Sequence, residues 1–119
     1  MKPGVLPRPD ERIVTDDSVD AALAWLRDSA AQMGKAKERS VKAGHWLKHV
    51  EALEFKLSDA KSAEARKADA RCSERFIEAI TEDAVAAGEY ERMRALREAA
   101  ALVIETWRTQ SSNFRSMRI

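Results

Sequence analysis

The chain has very few residues that break or cross-link structure. A single cysteine, Cys72, among 119 residues excludes an intrachain disulfide framework and any zinc site built from several thiolates. The three prolines all fall within the first nine residues, and only four glycines are present, too little punctuation for a many-stranded sheet. Gly4, Gly34, Gly44 and Gly88 are too scattered to form a phosphate-cradling loop. No apolar run reaches the roughly 18 residues that span a bilayer, and no apolar signal core follows Met1-Lys2-Pro3-Gly4, so no membrane association is expected and a host-cell cytoplasmic location is. Charge of one sign is missing too: 21 Lys and Arg face 20 Asp and Glu, for a net charge of +1. That balance argues against a polyanionic DNA mimic and against a uniformly basic nucleic-acid coat.

What is present is Ala, Glu, Lys and Arg, with 34% charged residues and 6% aromatics, the composition of long helices. Residues 1–17 read as a flexible acidic, proline-containing arm, because Pro3, Gly4, Pro7 and Pro9 disrupt helix there. The run Thr15-Asp16-Asp17-Ser18 writes a helix start, with Ser18 or Asp17 as cap. Beyond it a seam of Val19, Ala22, Leu26, Ser29, Met33, Ala36, Ser40, Ala43, Leu47 and Val50 advances by alternate steps of three and four, then jumps to Leu57. Such a seam belongs to a helix lying along another helix. Residues 58–73 lose the stripe and read as a short helix or exposed connector at the turn of a hairpin; one continuous helix from 18 to 85 is the competing reading. A second long helix is expected from Ser73. Phe76, Ile80, Ala87 and Tyr90 keep one phase, and Met93, Leu96, Ala100, Val103, Trp107 and Phe114 another, resembling a coiled-coil stammer at Tyr90.

The predicted fold is therefore all-α: an antiparallel helical hairpin over 18–112, two long helices with a short helical connector, followed by a basic tail over 113–119 that frays or extends from about Ser111. A lone hairpin of this size exposes much of its seam, so an oligomeric coiled coil or bundle is expected. Trp25, Trp46 and Trp107 serve either as anchors of that association or as intramolecular core.

Catalytic signals are weak. His45 and His49 have a helical metal-ligand spacing, but no Glu follows the first His and Lys48 adds a repelling charge. The carboxylates form no Glu-x-x-His pairs of the kind a di-iron bundle uses. Cys72 lies between Arg71 and Ser73 with Arg75 nearby, yet no local base accompanies it. The expectation is a protein that is not an enzyme and that uses no metal and no cofactor.

Charge patterning is more informative. Lys35, Lys37, Arg39, Lys42 and Lys48 face Glu38 alone between positions 35 and 49, and the C-terminal stretch adds Arg108, Arg115 and Arg118. Helical spacing puts Lys35, Arg39 and Lys42 near one face. These patches read either as ordinary solvated helix surface or as contacts to nucleic acid, single strands favoured, with Trp46 or Phe114 stacking bases.

Residues 91–100, Glu91-Arg92-Met93-Arg94-Ala95-Leu96-Arg97-Glu98-Ala99-Ala100, and the stretch Ile104-Glu105-Thr106-Trp107-Arg108-Thr109-Gln110, followed by Asn113 and Arg115, resemble the end of a family of small helical proteins of tailed bacteriophages. Lys35-Ala36-Lys37-Glu38-Arg39 resembles the same family, and the likeness covers about half of the chain. It implies an accessory role in phage DNA replication or recombination, by binding DNA or DNA-handling proteins. Trp107, Arg108 and Gln110 then join Lys35, Lys37, Arg39, Lys42, Lys48, Arg115 and Arg118 as the expected contact residues. The alternative is a protein-interaction module that inhibits or recruits a host protein such as a nuclease or defence factor.

Overall fold

The computed structural model describes residues 13–117, and these form four helices with no strand among them: α1 (Asp16–Asp28), α2 (Ala30–Leu57), α3 (Ala63–Cys72) and α4 (Glu74–Met117). The fold is the all-α helical hairpin that the seam predicts. Most of the proline-containing arm, residues 1–12, and Arg118 lie outside the described residues. The chain divides into two compact units, one holding residues 31–93 and the other pairing residues 13–30 with 94–117.

In the 31–93 unit, α2 and α4 run antiparallel. Arg39 pairs with Glu89, Gly44 meets Asp83, and Glu54 reaches Arg75, so positions rise on one helix as they fall on the other. The apolar core is small: Val50, only 1% exposed, packs with Phe76, Ala79 and Leu47. Ala and Val on the seam let the two backbones approach closely, which limits the area each residue can bury. The connector turns as the polar stretch predicts, which rules out one helix from 18 to 85. Residues 58–62 form the loop. The Ser58 hydroxyl donates to Asp69 (2.6 Å) and accepts from the Ala60 amide (3.2 Å), and Arg66 Nε donates to the Ala60 carbonyl (2.8 Å). Ser62 caps α3, its Oγ accepting from the Ala65 amide at 3.1 Å. Ser73 then caps α4 by accepting from the Phe76 amide at 3.2 Å, the role its position predicts. Leu57, 68% exposed, falls at the end of α2 where the seam has already run out.

In the other unit, α1 runs antiparallel to the C-terminal part of α4. Its cap is Thr15 rather than Ser18 or Asp17: the Thr15 hydroxyl accepts from the Ser18 amide at 3.2 Å, leaving Asp16 and Asp17 in the first turn where they meet the positive end of the helix. The first long helix is also not continuous. It breaks at Ser29, whose amide bonds the Trp25 carbonyl at 2.8 Å and ends α1. Helix continuation would have given the Leu26 carbonyl to the Ala30 amide. Instead Arg97 Nη1 donates to that carbonyl (2.9 Å) and to Ser29 Oγ (2.7 Å). The break therefore falls at a serine held from the opposite helix, while Gly34 and Gly44 lie inside regular helix.

α4 runs through residues 111–117 without fraying, against the expectation of an extended end. Gln110 is buried, Phe114 is half-buried, and the Ser116 hydroxyl bonds the Ser112 carbonyl at 3.2 Å. No helix break separates residues 112 and 113. Nor is there a stammer at Tyr90. The inward positions Phe76, Ala79, Asp83, Ala86, Tyr90, Met93, Arg97, Ala100, Ile104 and Trp107 alternate steps of three and four. Ile80 and Leu96, which the sequence pattern puts on the seam, are exposed.

Candidate functional site

Within the 31–93 unit, one flank of the α2–α4 pair carries an open trough of about 880 Å3. Its α2 wall carries Arg39, Lys42, His45 and His49, and its α4 wall Glu82 and Glu89. Ala43, Trp46, Val85 and Ala86 line it as well, so the lining is mainly apolar. Helical spacing explains the grouping. Arg39, Lys42, Trp46 and His49 advance by three, four and three along α2, and Glu82, Val85 and Glu89 by three and four along α4. Each set forms one line down its helix, beside the core seam.

Two of the apolar residues there are poorly covered: Trp46 is 43% exposed and Val85 57%. The His49 ring lies 5.5 Å from the Trp46 ring, tilted by 38°. Arg39 Nη1 bonds Glu89 Oε2 at 2.9 Å and ties the two walls together at one end. Both side chains are partly solvated, so this pair contributes at most about 1 kcal/mol to stability, and its main effect is positional. The trough thus offers apolar surface between a basic wall and an acidic wall. Among the described residues no group of three or more His, Cys, Asp and Glu is placed to hold a metal ion.

The sequence-predicted contact residues fall into separate sets. Arg39 and Lys42 line the trough, and Lys35 lies on the same line of α2 one turn earlier. Lys37 is outside it, with Nζ 4.9 Å from the centre of the Tyr90 ring, a cation–π contact. Lys48, exposed, is three turns from Lys37 on the same line of the helix and is also outside the trough. Trp107, Arg108, Gln110 and Arg115 belong to the other unit. There Gln110, 9% exposed, is a clasp: its Oε1 accepts from the amides of Ile13 (2.7 Å) and Val14 (3.1 Å), and its Nε2 donates to the Val14 carbonyl (2.7 Å). Trp107 Nε1 donates to Asp16 Oδ1 at 2.8 Å. Arg108 pairs with Glu105 one turn back at 3.1 Å, and Arg115 is exposed. The Trp-Arg-Thr-Gln stretch therefore fastens the chain entering α1 onto α4.

Sequence reasoning missed the acidic wall, Glu82 and Glu89, and with it the two-sided character of the trough. The available signal was the three-four spacing of Glu82, Val85 and Glu89 on the flank of a seam that had been traced through Ile80 instead of Asp83. No family model, curated protein or solved structure matches this chain.

Proposed function

We propose that this protein is a non-enzymatic helical interaction module, an accessory factor of phage DNA replication or recombination that works by docking onto protein rather than by holding DNA in its helix–helix trough. The observation that carries the reading is the trough itself: exposed Trp46 and Val85 line it together with cations on α2 and carboxylates on α4. Apolar surface of this kind takes an amphipathic helix, whose side chains enter the trough while its polar edges meet the walls. A phosphate backbone gains little there, since Glu82 and Glu89 offset Arg39 and Lys42 and the Arg39–Glu89 pair already uses one cation. The phage setting rests on the resemblance of Ile104-Glu105-Thr106-Trp107-Arg108-Thr109-Gln110 to the tailed-phage family.

A second reading, single-stranded DNA binding, is favoured by one observation: Trp46 is exposed in the same trough as Arg39 and Lys42, a base-stacking platform with cations near it. Fluorescence anisotropy with labelled single- and double-stranded oligonucleotides at two salt concentrations separates the two. The docking reading expects flat titrations at micromolar protein. Salt-sensitive binding to single strands that is lost in Trp46→Ala replaces it with the second.

A further inference from the structure

We propose that the occupant of the α2–α4 trough is a second copy of this chain, joined about a twofold axis that runs parallel to the helices. This rests on the reading of the trough as a protein-docking surface, and it names the partner. A twofold interface brings one surface patch against itself, so the patch must be self-complementary. The trough meets that condition because it carries both signs, on separate walls: Arg39 and Lys42 on α2, Glu82 and Glu89 on α4.

Only one twofold arrangement satisfies the charges. An axis across the helices lays α2 on α2 and α4 on α4, and so sets cations against cations and carboxylates against carboxylates. An axis along the helices lays α2 of each copy over α4 of the other. An axis along the helices keeps each residue at its own height, so the register set by Arg39–Glu89 and Gly44–Asp83 carries over: Lys42 lies level with Val85 of the second copy, between Glu82 and Glu89 of that copy about one turn to either side, and Trp46 lies level with its Glu82, about one turn from its Val85. Because α2 and α4 are antiparallel within each copy, each helix is also antiparallel to the helix it meets. The result is a four-helix arrangement in which the side chains that line the open trough become its centre. Opposed wall charges fix the orientation, and burial of Trp46 and Val85 supplies the driving force.

The test is sedimentation equilibrium of the full chain over a concentration series, with circular dichroism to verify that each variant stays helical. Wild type is expected to approach twice the 13.3 kDa chain mass. Lys42→Glu alone sets a carboxylate between Glu82 and Glu89 of the second copy, Glu82→Lys alone sets a cation within about one turn of its Lys42, and each weakens dimerisation by about tenfold or more. An equimolar mixture of the two variants restores it, and so does the double variant. Val85→Lys abolishes it. All three positions are at the surface, so the fold survives these changes. A wild-type chain that is monomeric at every concentration overturns the proposal, as does a dimer indifferent to all three substitutions. If the monomer still takes up an amphipathic helix in a Val85-dependent manner, the docking reading stands and only the second copy is removed.

Discussion

Gln110 gives the sharpest test of how the start of the chain is fastened. Replacing it with Met keeps the length of the side chain and its apolar stem, and removes all three hydrogen bonds to Ile13 and Val14. A typical intramolecular hydrogen bond contributes about 1 kcal/mol net, and an orphaned buried group costs about 1–3 kcal/mol. The full sum does not appear here. Ile13 is exposed and Val14 half-buried, so the freed backbone groups can turn to water by unpeeling ahead of the Thr15 cap. The expected loss is therefore about 1–2 kcal/mol and largely local. Native-state hydrogen exchange followed by NMR reads it directly: protection of the Ile13 and Val14 amides falls by about five- to thirtyfold, since 1.4 kcal/mol is a factor of ten. Amides around Val50 and Phe76 change much less. Unaltered protection at Ile13 and Val14 in the Met variant would refute the clasp, and with it the structural account of the Trp-Arg-Thr-Gln stretch.

Arg97→Met should cost about 1–3 kcal/mol in denaturant unfolding, because the freed Leu26 carbonyl and the buried Ser29 hydroxyl lose their donor; a change under a few tenths would mean that Arg97 does not hold the break at Ser29. Phe76→Ala removes the largest side chain of the small core and should destabilise by about 3–5 kcal/mol, measured by urea titration. Gly34→Ala should stabilise by up to about 1 kcal/mol, since a Cβ there meets nothing within 4 Å and the position is interior to α2; a lowered melting temperature would contradict the open environment.

The first half of the hairpin was legible in the sequence. Every seam position from Val19 to Val50 is buried or half-buried, and the alternation survives the break at Ser29. Periodicity records which side faces inward, and a one-residue interruption that preserves the phase leaves no mark on it. The break was hidden for that reason. Nothing local to Ser29 reveals that Arg97, 68 positions later, will take the Leu26 carbonyl. The second half was misread because three of its inward positions are polar. A search for apolar repeats passes over Asp83, Arg97 and Gln110, takes up Ile80 and Leu96, and reads Ala87 where Ala86 is the buried residue, so that two steps of three meet at Tyr90, a shift of phase that the helix does not have there. The same error hid the trough, since the flank of a misplaced seam is misplaced too.

Two of those polar positions coincide with irregular points of the opposing segment, and the third faces a glycine inside regular helix. Asp83 lies opposite Gly44, where a Cβ would come within 3.7 Å of its carboxylate; Arg97 meets the break at Ser29; Gln110 meets the residues entering α1. Their effect on pairing follows from the composition of the seam. Alanine and valine pack against one another almost as well after a slide of seven residues, so an apolar seam alone specifies alignment weakly. A slide of seven would take the Arg97 guanidinium from the Leu26 carbonyl, which lacks its helical donor, and would face the Gln110 amide with backbone already bonded within a helix. Each side chain would then be buried without its partner, at about 1–3 kcal/mol for every orphaned group. Within the unit formed by residues 13–30 and 94–117, Arg97 and Gln110 thus select one alignment, as a single buried polar residue selects register in a coiled coil.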